Sequence, residues 1–139
     1  MQRLTLPLFA LLLGGAVQAQ PASTPAEVHT RFAQALAARD LDGLVQLFHP
    51  DAVMLGPDGA AIRGRTAIRE ALRPLVETTP QIRTVSARVT QNGDWALGQS
   101  HWQLLAADGS VAAEGRAGEL MRRNADGSWV YWVDSPYGQ

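Results

Sequence analysis

The chain of 139 residues is 46% hydrophobic and 18% charged, and it contains no cysteine. This length fits one globular domain, and the lack of cysteine excludes a disulfide framework and a metal–thiolate site. The twelve basic residues are all arginine and stand against thirteen acidic residues, for a net charge of −1. A basic surface suited to nucleic acid is therefore not expected.

The first 19 residues have the pattern of a cleavable signal peptide. Arg3 precedes an apolar run over residues 4–17, and small residues suit cleavage near Ala19. The run is shorter than the about 20 residues of a membrane-spanning helix. We therefore expect residues 20–139 to form a single exported domain, periplasmic or secreted, with no stable membrane association after cleavage. An uncleaved membrane anchor is the alternative.

Three short helices are predicted in the first half of the domain, each with apolar residues at helical spacing. Residues 24–27 combine a capping hydroxyl, a proline and a glutamate in the pattern of a helix start. Asp40 is placed to cap a second helix, predicted over residues 41–48 and ended by Pro50. The third helix is predicted over residues 66–76.

The second half is predicted to be an antiparallel β-meander. Four strand candidates follow, over residues 81–91, 95–106, 110–123 and 128–135. Their connections carry the hairpin dipeptides Asn92-Gly93, Asp108-Gly109 and Asp126-Gly127. Two shorter strands, over residues 51–55 and 60–63, precede the third helix, which Pro74 is expected to kink or shorten.

The last strand candidate has bulky residues on both faces. By alternation one face carries Trp129, Tyr131 and Val133, and the other carries Val130, Trp132 and Asp134. Large aromatic side chains on both faces predict a strand that is covered on both sides. We therefore expect this strand to lie centrally in the sheet.

Three segments together resemble the nuclear transport factor 2-like superfamily. They are ARDLDGLVQLFHPDAVMLGPDG, IRGRTAIREAL and RRNADGSWVYWVDSPYG. The resemblance is closest to the SnoaL-like and DUF4440-type members, and the first half is similar to ketosteroid isomerases. It implies an α+β fold in which three helices pack on a strongly curved mixed sheet, forming a cone around a pocket. It also implies a homodimer formed through the outer face of the sheet.

The similarity to ketosteroid isomerases does not extend to their catalytic residues. Those enzymes use a carboxylate base, a tyrosine and a protonated aspartate. In this sequence Gly56 stands at the base position and Phe32 at the tyrosine position, and only the third position is acidic, as Glu119. A site without its base cannot abstract the proton, so steroid isomerase activity is not expected.

The strand order of this fold implies which side chains face the pocket. The predicted lining residues are Phe32, Met54, Gly98, Ser100, Trp102, Met121 and Trp132, together with Glu119 and Asp134. The opposite face would carry Trp95, Trp129, Tyr131 and His101.

Glu119 and Asp134 are the candidate catalytic residues. Two carboxylates facing one cavity would raise the pKa of one of them and supply an acid and a base. Alternatively, each bonds a backbone amide or pairs with an arginine such as Arg63 or Arg122. Asp134 could instead cap the turn that follows it.

No metal and no cofactor is expected. His29, His49 and His101 share no metal-ligand spacing, and the sequence contains no nucleotide-binding motif. Arg63 and Arg65 flank Gly64 near a helix start, where they would contact an anion or, alternatively, be solvated or paired.

Three functions remain open at this level. The chain binds a small, partly apolar molecule in the pocket, or it is an isomerase, dehydratase or hydrolase that uses Glu119 and Asp134 as acid and base. The third possibility is a dimerising interaction module whose pocket is filled by Trp102, Trp132 and Met121. The partners expected are a small-molecule ligand and a second copy of the chain.

Overall fold

Two capped helices open the part of the chain that the computed structural model describes, which comprises residues 20–78 and 81–138. The predicted signal peptide over residues 1–19 lies outside these ranges. Helix α1 spans Pro25–Ala37, and the Thr24 hydroxyl accepts a hydrogen bond from the Glu27 N–H at 3.3 Å. Asp40 accepts from the Gly43 N–H at 2.8 Å at the start of α2, Leu41–Gln46. Both predicted caps are confirmed.

Helix α2 is shorter than predicted, because Phe48 belongs to a strand. Strand β1 spans Phe48–Leu55 and begins two residues after α2 ends. Phe48 is fully buried, and its ring centroid lies 5.1 Å from that of Tyr131. The helical spacing of Phe48 therefore reflects burial beside β1 and not a continuing helix.

A short hairpin leads into the third helix. Strand β2, Ala61–Arg63, pairs antiparallel with β1, and α3 follows at Gly64–Thr78. Pro74 lies inside α3, which continues to Thr78, so the proline does not end it. The Arg65 guanidinium donates a 2.7 Å hydrogen bond to the Phe48 carbonyl and thereby ties the start of α3 to β1.

Four long strands complete the described fold. They are β3, Gln81–Asn92; β4, Trp95–Leu105; β5, Val111–Arg123; and β6, Trp129–Ser135. The glycines of their three turns, Gly93, Gly109 and Gly127, have φ values of 60°, 83° and 86°. This left-handed region is open to glycine at little cost, as the hairpin dipeptides require. The predicted meander is confirmed.

The six strands form one mixed sheet in the order β2-β1-β6-β5-β4-β3. Strand β6 pairs parallel with β1 and antiparallel with β5, and the other neighbours are antiparallel. The last strand therefore lies inside the sheet, as predicted. Three helices on a curled sheet give the expected α+β cone.

The core lies between the helices and the inner face of the sheet. Its largest fully buried side chains are Val28, Leu36, Leu44, Phe48, Ile68 and Met121. None of the described helices is long and apolar enough to cross a membrane.

The outer face of the sheet carries the side chains that alternate away from this core. Trp95 and Leu97 are 40% and 55% exposed. His101 lies on the same face, where its Nε2 is 3.3 Å from Glu114 Oε2, so the expectation that it points away from the pocket holds. The homodimer expected through this face stays a prediction.

Phe48→Ala should lower the free energy of unfolding by about 3–5 kcal/mol, because it removes a fully buried ring from the junction of α2, β1 and β6. Urea denaturation measures the change. Val85→Ala, at a valine that is 49% exposed, is the control and should cost less than about 1 kcal/mol. Equal losses in both variants would contradict this assignment of the core.

Candidate functional site

A cavity of about 250 Å³ lies between the helices and the inner face of the sheet. Most of its wall is apolar and includes Phe32, Met54, Ile62, Leu72, Leu75, Ile82, Trp102 and Leu104. Five polar side chains that neighbour one another also line it: His29, Ser100, Glu119, Tyr131 and Asp134. The cavity thus combines a broad apolar wall with one polar region.

Glu119 and Asp134 lie directly opposite each other in the β5–β6 ladder. Side chains at directly opposed positions project from the same face, with Cβ atoms about 4.5–5.5 Å apart. Only 3% of Glu119 and 7% of Asp134 is exposed. The structure therefore brings the two predicted carboxylates together on the inner face.

The Glu119 carboxylate is held by neighbours on two other elements. Ser100 on β4 donates a 2.7 Å hydrogen bond to Glu119 Oε1. Nε2 of His29 on α1 lies 3.2 Å from the same oxygen, although not at the angle of a formed hydrogen bond. Glu119 Oε2 is buried and has no hydrogen-bond partner in the described part of the chain.

Asp134 is the less stabilised of the two carboxyl groups. No arginine pairs with either carboxylate among residues 20–78 and 81–138, and the Asp134 carboxyl makes no hydrogen bond there. Burial, and next the negative charge of Glu119, raises the pKa of Asp134 to about 8. The Asp134 carboxyl group therefore keeps its proton at neutral pH. Neither Glu119 nor Asp134 therefore pairs with an arginine in the described part of the chain, and Asp134 does not cap the turn that follows it.

Tyr131 adds a phenol to this polar region. Burial, together with the nearby Asp134 and Glu119, raises the pKa of its hydroxyl well above the usual value, so the hydroxyl keeps its proton. The Tyr131 ring makes edge contacts with His29 and Phe32, at centroid distances of 6.1 and 6.3 Å.

Four of the predicted apolar or neutral lining residues face the cavity, namely Phe32, Met54, Ser100 and Trp102. The Trp102 indole is fixed by a 2.7 Å hydrogen bond from its Nε1–H to the Pro136 carbonyl. Gly56, which the resemblance matches to the base position of ketosteroid isomerases, lines the cavity and offers no side chain.

Gly98 and Met121 face inward but lie beneath the cavity wall. Met121 is fully buried in the core. A Cβ at Gly98 would lie 2.6 Å from Glu119 Oε2 and 2.7 Å from Met121 Cε. Both contacts are too short for real atoms, so Gly98 provides the space in which the Glu119 side chain lies.

The prediction that Trp132 faces the pocket is wrong, and so is the outward placement of Trp129 and Tyr131. The pairing of β5 with β6 shifts between Leu120 and Met121, because Trp132 is an extra residue in β6. A β-bulge of this kind reverses the alternation of faces beyond it. Trp129 and Tyr131 are therefore buried inside, each 3% exposed, and still share the inner face with Asp134.

Trp132 instead belongs to an outer aromatic cluster. Its ring lies 4.5 Å from that of His49 and 5.8 Å from that of Trp95, measured between centroids. The Arg122 guanidinium lies 5.2 Å from the Trp132 ring and 5.5 Å from the Trp95 ring, a cation–π arrangement. His49 therefore packs with this cluster, away from the cavity.

Sequence reasoning missed His29 and Tyr131 as members of the site. The sequence did hold a signal for His29, since it precedes Phe32 and Leu36 by three and seven residues and so shares the buried face of α1. For Tyr131, simple alternation along the strand predicted that the side chain faces away from the cavity. No group of three or more His, Asp or Glu side chains in the described ranges is arranged to hold a metal ion.

Solved structures with this fold cover most of the chain. A protein of unknown function with a cystatin-like fold from Nostoc punctiforme is 18% identical with a TM-score of 0.71, over 82% of this chain and 87% of that one. A candidate dehydratase of the nuclear transport factor 2-like family from Streptomyces avermitilis is 21% identical with a TM-score of 0.65, over 82% and 94%. A protein from Catenulispora acidiphila, solved in complex with S-DNPA, is 20% identical with a TM-score of 0.66, over 78% and 86%.

These identities show the fold alone, and no match to the sequence was found among curated proteins. The family assignment comes from the sequence profile of the SnoaL-like domain, which matches residues 29–132. This range contains α2, α3 and strands β1 to β5 in full, together with His29 and Glu119. The chain therefore belongs to the SnoaL-like domain family and has the cone fold of the nuclear transport factor 2-like superfamily.

Proposed function

We propose that the chain binds a small, partly apolar molecule in the cone cavity. The observation that carries the proposal is the combination of a broad apolar wall with a buried polar region around Glu119 and Asp134. Small-molecule sites typically have this composition, in which a few polar groups orient a largely apolar ligand. The Catenulispora acidiphila protein solved with S-DNPA supports the proposal, because its fold is similar.

A filled pocket would favour the interaction-module hypothesis, and the geometry argues against it. Of the three side chains expected to fill the cavity, Met121 lies beneath the wall and Trp132 on the outer face. Trp102 forms part of the wall, where its indole is bonded to the Pro136 carbonyl. About 250 Å³ of space remains between the walls.

Small apolar molecules with a single polar group should raise the melting temperature of the chain, and Ala71→Trp should abolish that rise. Ala71 is an exposed α3 residue on the cavity wall, so an indole there occupies the cavity without disturbing the core. A ligand at 100 times its Kd stabilises the folded state by about 2.7 kcal/mol, which differential scanning fluorimetry detects readily.

Ala67→Trp is the matched control for this experiment. Ala67 lies one turn earlier on the same helix, is also exposed, and does not line the cavity. Ligand shifts should survive in this variant. If the ligand-induced rise in melting temperature is equally large in Ala71→Trp, binding occurs outside this cavity. Native mass spectrometry of protein purified from its own host would then show whether any small molecule copurifies.

The second candidate function is proton-transfer catalysis by an isomerase, dehydratase or hydrolase. Two observations favour it: the carboxyl groups are directly opposed in the ladder, and neither is neutralised by an arginine in the described part of the chain. The Glu119 carboxylate would accept a proton from the substrate. The protonated Asp134 would donate one to the oxygen that gains electron density, so the pair would act as base and acid.

If this chemistry occurs, Glu119→Gln and Asp134→Asn should each slow it by about 10²–10⁴-fold. Exchange of deuterium from solvent into a bound carbonyl compound, followed by NMR, measures the proton transfer directly. Glu114→Gln, on the outer face of the same strand, is the control and should exchange at the wild-type rate. Unchanged exchange in both site variants would contradict acid–base catalysis at this pair.

Asp134→Asn should stabilise the folded chain at pH 8 and have little effect near pH 4. The Asp134 carboxyl ionises near the usual aspartate pKa of 3.8 when the chain is unfolded but only near pH 8 when it is folded. Between these values the folded state binds more protons than the unfolded state, so stability falls as the pH rises. We expect the variant to exceed wild type by at least about 4 °C in melting temperature at pH 8.

Asp51→Asn serves as the control, because the Asp51 side chain is 82% exposed. Its melting temperature should follow that of wild type across the same pH range. A constant offset between Asp134→Asn and wild type from pH 4 to pH 8 would mean that Asp134 is not protonated in the folded protein.

A further inference from the structure

The charges around the cavity specify the kind of ligand, an inference that rests on the proposed binding function. We propose that the ligand is a small aromatic or alicyclic amine that enters as an ammonium ion and is held by the carboxyl group of Asp134. The proposal follows from the acceptors that line the cavity, from the scarcity of positive charge there, and from the aromatic rings around it.

The acceptors are buried and incompletely used. Asp134 is 7% exposed, lines the cavity and makes no hydrogen bond to any described residue. Glu119 Oε2 is likewise buried without a hydrogen-bond partner within the described ranges. A buried carboxyl group without a partner is costly, and an ammonium group, with up to three N–H donors, satisfies it.

Positive charge is scarce around these acceptors. Although the chain contains twelve basic residues, none of the arginines in the described part lines the cavity. The titratable groups that face it are His29 from α1, Glu119 from β5, Tyr131 and Asp134 from β6, and Tyr137 beyond β6. His29 Nε2 lies 3.2 Å from Glu119 Oε1, so the one basic ring among the described residues that line the cavity lies beside the other carboxyl group. An anionic ligand would meet repulsion here, whereas a cation would be attracted.

The aromatic and aliphatic parts of the cavity wall suit the apolar body of such an amine. The rings of Phe32, Trp102, Tyr131 and Tyr137 all line the cavity, and aromatic faces attract ammonium groups that lie within about 6 Å of the ring centre. The aliphatic wall from α3 and β3 would cover the apolar body. The cavity of about 250 Å³ is large enough for a single ring with a short side chain.

A matched series of three probes tests the charge preference: 2-phenylethylamine, 2-phenylethanol and phenylacetate. They share one ring and differ mainly in whether the polar end is cationic, neutral or anionic. Isothermal titration calorimetry at pH 7 should show the amine binding more tightly than the alcohol, by on the order of 30-fold or more, and no binding of phenylacetate.

The same titrations should detect a proton released by the protein. Asp134 is protonated in the free chain and would ionise when it receives the ammonium ion, so up to one proton leaves for each amine bound. Repeating the titration in buffers of different ionisation enthalpy measures this number. Binding of the alcohol should release none.

Variants assign the effect to named residues. Asp134→Asn should weaken amine binding by on the order of 30-fold and change alcohol binding by less than about twofold, which also shows that the variant is folded. Glu119→Gln should weaken amine binding in the same direction, because it removes the charge beside Asp134. Glu114→Gln on the outer face should leave both affinities unchanged.

The outcomes separate this inference from the proposed function. If the alcohol binds as tightly as the amine, or if Asp134→Asn affects both equally, the amine inference is overturned and binding in the cavity stands. If phenylacetate binds most tightly, the charge argument is wrong. If neither the amine nor the alcohol binds, and no ligand shift depends on Ala71, the inference and the proposed function fail together.

Discussion

The candidate site depends on one irregularity in the last strand. Strand β6 carries Trp132 as an extra residue opposite the Leu120–Met121 step of β5. In a regular strand Tyr131 and Asp134 would project from opposite faces, since they are three residues apart. The bulge places both on the inner face and turns Trp132 outward. One residue thus assembles both the polar region of the cavity and the outer aromatic cluster.

The opposed carboxyl groups of Glu119 and Asp134 create an electrostatic conflict that the surrounding elements only partly resolve. Two carboxyl groups opposed in a buried ladder cannot both ionise without strong repulsion. Ser100 donates a hydrogen bond to Glu119, whereas burial and the neighbouring Glu119 raise the pKa of Asp134, which keeps its proton. Two apolar side chains in place of Glu119 and Asp134 would be buried at a lower free-energy cost. Carboxyl groups with strongly shifted pKa values concentrate at functional sites. Here the carboxyl group with the raised pKa, Asp134, lines the cavity.

The sequence predicted those features that depend on local chemistry. Capping residues such as Thr24 and Asp40, and the three glycine turns, act over a few positions and could be recognised directly. That Glu119 and Asp134 both face the cavity was implied by the resembled fold, and the structure adds that they are directly opposed. The bulge could not be predicted, because residues 130–133 include no glycine or proline to mark it. The start of β1 at Phe48 was missed because pairing with β6 outweighs helical spacing.

The fold alone does not determine what such a cone does, since one scaffold supports many functions. The inner face of this chain carries carboxyl groups but no arginine among the described residues that line the cavity. Every arginine pairing with a carboxylate in the described residues lies outside the cavity, as in Arg69–Asp42 and Arg123–Asp94. In the cavity, Glu119 accepts one hydrogen bond from the Ser100 hydroxyl and lies beside His29. Because low polarity strengthens charge interactions, the proposed ligand preference rests on this imbalance more than on the shape of the wall.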